Sequence, residues 1–360
     1  MEGQRHKIAS QRCSTGSIVT GSLPKAAKPV SPTAVSADDI RAFALDENNW
    51  DVFAAVLSDV LPKYVQLNWY QDTPYKRHFK DWQKAGVTII PNHYYSPVPD
   101  LNNLPPGALE AKFPLHGIDM RDDAELALLA SLKGYAAEYD AFAKRTTPRT
   151  DGKWFQGGPF ARPDADTAYA MVRHLKPKRI IEIGSGHSTL AMSEACLKNK
   201  AEGHPVEFIS IDPYPSYVLQ YKPKGMTRHI TEPLESLPLS LFENLGENDI
   251  LFIDSTHIIR PGGDVEYEYF HLIPKIGKGC WVHVHDIFLP HPYPANWIAN
   301  EHIFWNEQHL LAAFLAFNPS FEVTLGLNYL CDKFPDAIRG AFKDMGDTPR
   351  AGSFWFKRVG

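Results

Sequence analysis

From residue 164 onward the chain alternates between helical and strand-like patterns, and that alternation constrains its fold more than any other feature. The helical apolar spacing of DADTAYAMVRHL (164–175) gives way to the β-branched run RIIEI (179–183). A helix HSTLAMSEACLKN (187–199), strands VEFISID (206–212) and DILFID (249–254), a helix VEYEYFHLIPKI (265–276), a strand GCWVHVHDI (279–287) and a helix NEQHLLAAFLAF (306–317) follow. Strands separated by helices make a parallel sheet covered on both faces, so the expectation is a doubly wound α/β domain. The last strand-like runs, FEVTLGLNYL (321–330) and GSFWFKRV (352–359), have no comparable crossover helix between them. One of them is therefore expected to reverse direction at the sheet edge.

The region before this alternation reads differently. Residues 1–37 are rich in Ser, Thr, Lys, Arg and Pro and poor in acids, the composition of a disordered tail, with an organelle transit segment as the alternative. Order is expected to begin at Ser36, where a Ser cap and acids in the first turn open the helical run SADDIRAFALDENNWDVFAAVLSDVLPKYV. The stretch VTIIPNHYYSPVPDLNNLPP (87–106) predicts a short strand running into a rigid aromatic loop, and DDAELALLASLKGYAAEYDAFAK (122–144) one long amphipathic helix. The polar break at 145–153 marks the expected boundary between a helical N-terminal substrate region (38–150) and a catalytic domain (151–360).

A net charge of −5 leaves no basic footprint for nucleic acid, and no apolar run approaches the ~18 residues that span a membrane. Partners are expected to be small molecules or peptides. The four cysteines (Cys13, Cys196, Cys280, Cys331) form no CxxC pair, which suits a reducing, cytoplasmic setting.

Parallel sheets bind ligands at the carboxyl ends of their strands, and the first strand-to-helix turn here is EIGSGHS, with Gly184 and Gly186. Glycines admit tight turns and close ligand approach, and the helix that follows offers free backbone N–H groups. Asp212 ends the next strand, 26 positions beyond Gly186, where an acid can hold ribose hydroxyls. A dinucleotide turn would carry a third glycine where Thr189 stands. That points to a nucleotide-like cofactor without a pyrophosphate.

The residues EIGSGHS, the acid in SIDPYP, DILFIDSTH and the reversed terminal hairpin resemble the class I S-adenosylmethionine-dependent methyltransferases, over residues 154–359. The resemblance implies a mostly parallel seven-stranded sheet with an antiparallel terminal hairpin and S-adenosylmethionine as cofactor. Its binding residues would be Glu182, Gly184, Ser185, Gly186 and Asp212. Asp254 and Asp286 further match the two acids that hold magnesium in metal-assisted small-molecule O-methyltransferases, but His285 stands where relatives such as macrocin O-methyltransferase carry another aspartate. Asp254, His285 and Asp286 are the expected ligands if a metal is held, with manganese, iron or zinc suiting the imidazole better than magnesium.

His257 follows Asp254 in DSTH, within reach of the same strand tips, and is the expected general base. His285 is the expected ligand histidine, or a base if no metal is held. Beyond them the run FLPHPYPANWIANEHIFWNEQ (288–308) concentrates Pro, Tyr and Trp, with Tyr293 and Trp297 as expected acceptor contacts. The resulting expectation is methyl transfer to an oxygen, less readily a nitrogen, of a small natural-product, sugar or peptide acceptor. A nicotinamide-dependent oxidoreductase uses a similar sheet, and a non-catalytic binding module on this fold stays open, because fold alone does not prove turnover.

Overall fold

The computed structural model describes residues 35–65, 72–140, 160–214, 219–220, 222–343, 345 and 350–360. They belong to two compact units, Met1–Ser96 and Pro97–Gly360. The expected boundary at 145–153 lies outside the described residues, as do residues 1–34 of the expected tail.

In the first unit, helix α1 (Ala37–Leu45) starts where the sequence places it. Ser36 Oγ accepts the Asp39 N–H at 3.1 Å, and the Asp39 carboxylate accepts the Ser36 N–H at 3.0 Å. This reciprocal cap satisfies two of the donors that a helix start leaves unpaired. Helices α2 (Trp50–Tyr64) and α3 (Pro74–Lys84) follow, the latter capped by Thr73 with Pro74 in its first turn. The strand expected from Val87 does not form. Pro91 closes the four-residue run, and no described neighbour supplies a ladder.

The second unit opens with α4 (Asp122–Leu132) and α5 (Ala136–Tyr139). The single long helix expected there is broken by a tight turn at Lys133–Tyr135, around Gly134. Leu129, Leu132 and Tyr139 nonetheless reach the core of the sheet domain, and Glu125 on α4 accepts the Gly326 N–H at 2.8 Å. This segment is therefore part of the same packed body as the sheet.

Strands β1 (Arg179–Ile183), β2 (Glu207–Ile211), β3 (Arg228–Ile230), β4 (Ile250–Ile253), β5 (Trp281–Val284), β6 (Phe321–Gly326) and β7 (Phe354–Arg358) form one sheet in the order β3-β2-β1-β4-β5-β7-β6. The first five are parallel, and β7 is inserted antiparallel between β5 and β6. Helix α6 (Asp164–Leu175) precedes β1, α7 (His187–Ala201) connects β1 to β2, α8 (Asp264–Tyr267) lies between β4 and β5, and α9 (Ala295–Ala299) and α10 (Glu307–Leu315) lie after β5. The helix expected over 265–276 becomes a wide π turn at Glu268–Leu272 and a tight turn at Ile273–Lys275, where Pro274 cannot continue it. The strand expected over 321–330 stops at Gly326 and continues as α11 (Leu327–Lys333) and α12 (Pro335–Ala341). Two short helices thus do separate β6 from β7.

Strand alternation builds the two faces. Ile180, Phe208, Ile250 and Phe252 enter one core, whereas Ile181, Ile183, Ile209, Ile211, Leu251 and Ile253 enter the other. Register then sets the site, because Ile183 pairs with both Ile211 and Ile253, and Ile253 with Val284. The next residue on each strand, Gly184, Asp212, Asp254 and His285, therefore lies in one row at the carboxyl edge. Among the described residues, no helix is long and apolar enough to cross a membrane.

Candidate active site

The turn after β1 is shaped by Gly184, whose φ of +83° is in the region that favours glycine. A Cβ there would lie 1.9 Å from the Asp254 carbonyl oxygen, so the turn and the tip of β4 touch backbone to backbone. Gly186 differs: its φ of −174° is ordinary extended backbone, and a Cβ would meet nothing within 4 Å. The space in front of Gly186 is open.

Beside this turn, a cavity of about 310 Å³ is lined by Gly184, Asp212, Tyr214, Leu234, Asp254 and Thr256, among others. Asp212 is held facing it. One of its oxygens accepts the Ser185 N–H at 3.0 Å and the Ser185 hydroxyl at 2.7 Å, and the other accepts the Tyr214 N–H at 2.8 Å. The oxygen that accepts only the Tyr214 N–H keeps spare lone-pair capacity for a ligand hydroxyl.

Glu182 does not line the cavity. Its side chain points into the sheet–helix layer with no exposure, and accepts hydroxyl hydrogen bonds of 2.7 Å from Ser188, Thr189 and Ser210. Burial pushes its carboxyl up to about 8, against the three hydroxyls. Glu182 therefore shapes the turn from below rather than touching a ligand. Because its folded pKa lies above the ordinary 4.5, its contribution to stability is complete below pH 4.5 and is lost as pH rises through about 8. The Glu182→Gln variant keeps the shape and has no charge to bury. Its thermal midpoint is expected to vary less than that of the wild type between pH 5 and 9, and identical pH dependence would show that Glu182 is not the titrating group.

Asp254, His257, His285 and Asp286 gather at the tips of β4 and β5. Asp254 Oδ1 lies 3.4 Å from His257 Nε2 and 3.6 Å from His285 Nδ1, and Asp286 Oδ2 lies 3.6 and 3.5 Å from the same nitrogens. The carboxylates and imidazoles alternate around a common centre. His257 and Asp286 both adopt left-handed backbone, with φ of 61° and 53°. Such conformations cost roughly 1–3 kcal/mol each and persist where the surroundings impose them.

Partners that the sequence did not suggest stand behind these groups. Glu307, at the start of α10 and fully buried, lies 2.8 Å from His257 Nδ1 and accepts the Tyr269 hydroxyl at 3.2 Å. Asp164, at the start of α6, lies 4.0 Å from His285 Nε2 and accepts N–H groups from Gly352 and Ser353. Glu268, in the π turn, receives the Ser255 hydroxyl at 3.3 Å. Burial opposes a charge on His257, but Asp254 and Glu307 outweigh it and raise its pKa to about 10. Burial likewise opposes a charge on His285, whose pKa Asp254 and Asp286 raise well above the ordinary value. The Asp254 carboxyl is held well below the carboxylate range, burial notwithstanding, by His285 and His257. The neighbouring carboxylates thus favour the charged form of both imidazoles, and the same carboxylates are the groups left to accept a proton. His283 belongs to the core: burial, then His285, depress its pKa, and its ring stacks on Phe252 at 3.8 Å.

The aromatic run after β5 divides. Tyr293 is 3% exposed and its oxygen accepts the Gln308 N–H at 3.1 Å, so it is packed into the loop, although it also lines a second recess of about 640 Å³ with Phe288 and Asn328. Trp297 stacks edge-on against Trp305 at 5.2 Å, and Trp305 lies 4.3 Å from the His257 ring. Within this run it is Trp305, rather than Tyr293 or Trp297, that touches the cluster, and Phe160 packs on the cluster's other histidine, His285, with rings 4.9 Å apart.

Residues 181–287, which span the glycine turn, the cavity and the cluster, match a family described as a methyltransferase domain. An uncharacterized protein of Archaeoglobus fulgidus is 30% identical over 183 residues, covering 47% of this chain and 78% of that protein. Among solved structures, cmcI-N160 with SAH is similar at 16% identity and a TM-score of 0.31, over 70% of this chain and 100% of that one. The CMeT domain of the citrinin polyketide synthase is similar at 12% and 0.34, over 86% and 78%. At such scores neither structure supports any inference below. The chain belongs to the class I S-adenosylmethionine-dependent methyltransferases. It is an enzyme whose cofactor is S-adenosylmethionine, and the sheet order with its reversed β7 agrees with that expectation.

Proposed function

We propose that the enzyme transfers the cofactor's methyl group to a hydroxyl oxygen of a small natural-product, sugar or peptide acceptor placed over the tips of β4 and β5. One observation carries the reading: Asp254 lines the cavity beside the glycine turn and is also a member of the carboxylate–imidazole cluster. The methyl donor and the acceptor's polar group would then meet across a single side chain. The displacement breaks the sulfonium–methyl bond and forms an oxygen–methyl bond in line, so its rate depends mainly on how the two reactants are held.

Oxygen is favoured over nitrogen by what the cluster offers. A neutral amine attacks with its own lone pair, whereas a hydroxyl is a weak nucleophile until its proton is drawn away. Two carboxylates and two imidazoles serve the second case. Asp254 or Asp286 would accept the hydroxyl proton as the oxygen–methyl bond forms, and His257 and His285, 3.4–3.6 Å from both carboxylates, would hold them in place. Magnesium, which the likeness to metal-assisted O-methyltransferases would imply, does not fit, because it prefers an all-oxygen shell. No step is assigned to it.

Asp212 would hold the ribose of the cofactor, with Ser185 and Tyr214 orienting its carboxylate. S-adenosylhomocysteine is expected to raise the thermal midpoint of the wild type, and Asp212→Ala to remove most of that rise. Losing a charge-assisted hydrogen bond costs about 1.5–3 kcal/mol, roughly 10- to 150-fold in affinity. Equal calorimetric affinities would show that the ribose lies elsewhere. The acceptor reading is tested by turnover of labelled S-adenosylmethionine against hydroxylated and amine acceptor panels; methylation confined to amines would reverse it.

A further inference from the structure

We infer that the recess of about 640 Å³ beside the cluster anchors the acceptor, and that Arg350, with Arg339, holds there an anionic oxyacid group, a carboxylate or a phosphate, at the end of the acceptor away from its reacting hydroxyl. The inference rests on the methyl-transfer reading for the chemistry at the hydroxyl and goes beyond it in naming the acceptor's class.

The recess lies between the loop that follows β5 and helices α11 and α12. Phe288, Pro292, Tyr293 and Cys331 give it apolar walls, and its volume is in the range of small-molecule pockets, about 300–1,000 Å³. Arg339 and Arg350, both exposed, stand among its lining residues. Arg339 lies 2.6 Å from Asp336, which is outside the lining, whereas Arg350 has no ion pair among the described residues. Of the two acids that line the recess, Asp332 is occupied by Lys112 at 2.8 Å and by His291 at 3.1 Å. Glu110 is left against two guanidiniums. A planar guanidinium binds a carboxylate or phosphate through two parallel hydrogen bonds, so the recess joins an apolar body to one preferred charge.

Two short stretches of chain connect the recess to the cluster. Asp286 belongs to the cluster, and Phe288, two residues on, lines the recess. On the other stretch Arg350 lines the recess, and Gly352 lies so close to Asp286 that a Cβ there would be 3.2 Å from its backbone nitrogen. The Ile287 N–H donates to the Gly352 carbonyl at 2.9 Å and holds the stretches side by side. Two residues span at most about 7 Å, so one small molecule can reach from Arg350 to Asp286.

Charge also sets the direction of binding. Asp254, Asp286 and Glu307 place carboxylates at the cluster end, where an anion is repelled. The arginines attract it at the other end. An acceptor with one anionic end and one neutral hydroxyl therefore enters one way round, with the hydroxyl toward the carboxylates that would take its proton.

The test uses the full chain loaded with S-adenosylhomocysteine and calorimetry on two matched pairs of probes, para-hydroxybenzoate against para-hydroxybenzamide and a hexose phosphate against the free hexose. The charged member of one pair is expected to bind more tightly, which also separates carboxylate from phosphate. Arg350→Ala is expected to weaken that member about 10- to 100-fold, with the neutral member and S-adenosylhomocysteine unaffected. Arg350→Lys, which keeps the charge and loses the fork, should fall between. With labelled S-adenosylmethionine the same loss should appear in KM and not in kcat. Charged members that bind no better than neutral ones, or equal weakening of both by Arg350→Ala, overturn the inference. Turnover of neutral acceptors with no preference for charged ones overturns the anchoring subsite and leaves the methyl-transfer reading standing. Arg350-dependent binding of a charged probe with no turnover of any hydroxylated acceptor does the reverse.

Discussion

Asp254→Asn is expected to lower turnover by about 10²–10³-fold, the range found when one preorganised electrostatic group is removed from an active site, while the protein stays folded. The substitution keeps shape and one acceptor oxygen, so the contacts at 3.4 and 3.6 Å to His257 and His285 can persist without the charge. What disappears is the negative centre that balances both imidazoles. With the carboxylate gone, both imidazoles lose one of the acids that favour their charged forms, and an acceptor held beside them loses a polar partner. S-adenosylhomocysteine binding should remain close to that of the wild type, because Asp212, at the tip of β2 on the far side of β1, is untouched. Steady-state turnover, calorimetry with S-adenosylhomocysteine and circular dichroism on the same preparation check the three parts. Unchanged turnover would remove the cluster from the chemistry, and the acceptor would then have to be sought in the recess beyond Phe288.

The legible parts of this architecture are those in which function follows from register. Ile183, Ile211, Ile253 and Val284 end apolar runs that can be read as strands, and pairing them side by side forces Gly184, Asp212, Asp254 and His285 into one row. The partners behind that row could not be read. Glu307 is 50 residues beyond His257 and opens an ordinary amphipathic helix, with no motif to mark it. Asp164 resembles any acid in a first helical turn. Strand β3 is three residues, Arg228–Ile230, too short to show a period. The aromatic loop was legible only as a class: Tyr293 and Trp297 sit in the right run, but packing, which spacing does not encode, buries Tyr293 and puts Trp305 on His257. Glu182 shows the same limit in reverse. Its place beside the glycines is clear, but the three hydroxyls that enclose it come from β2 and α7.

The two glycines of the turn should respond in opposite ways, and the contrast separates a demand of the fold from a demand of the cofactor. Gly184→Ala places a methyl group 1.9 Å from the Asp254 carbonyl oxygen in a backbone with φ of +83°. The conformation alone costs roughly 1–3 kcal/mol, and the clash is with backbone, which cannot rotate away as a side chain could. Relief requires the tips of β1 and β4 to separate, against the pairing of Ile183 with Ile253. A fall in thermal midpoint of roughly 2–4 °C per kcal/mol is therefore expected, with turnover lost as Asp254 moves off the histidines. At Gly186→Val the new Cβ meets no protein atom within 4 Å, and the position needs no unusual φ. Its midpoint without ligand should match the wild type, yet the rise given by S-adenosylhomocysteine should vanish, because the branched side chain fills space that only a ligand uses. A Gly186→Val protein that still gains the full ligand-induced rise would mean that the cofactor does not pass over this turn. A Gly184→Ala protein of wild-type stability would mean that the β1 and β4 tips are not in the close contact from which the whole site is built.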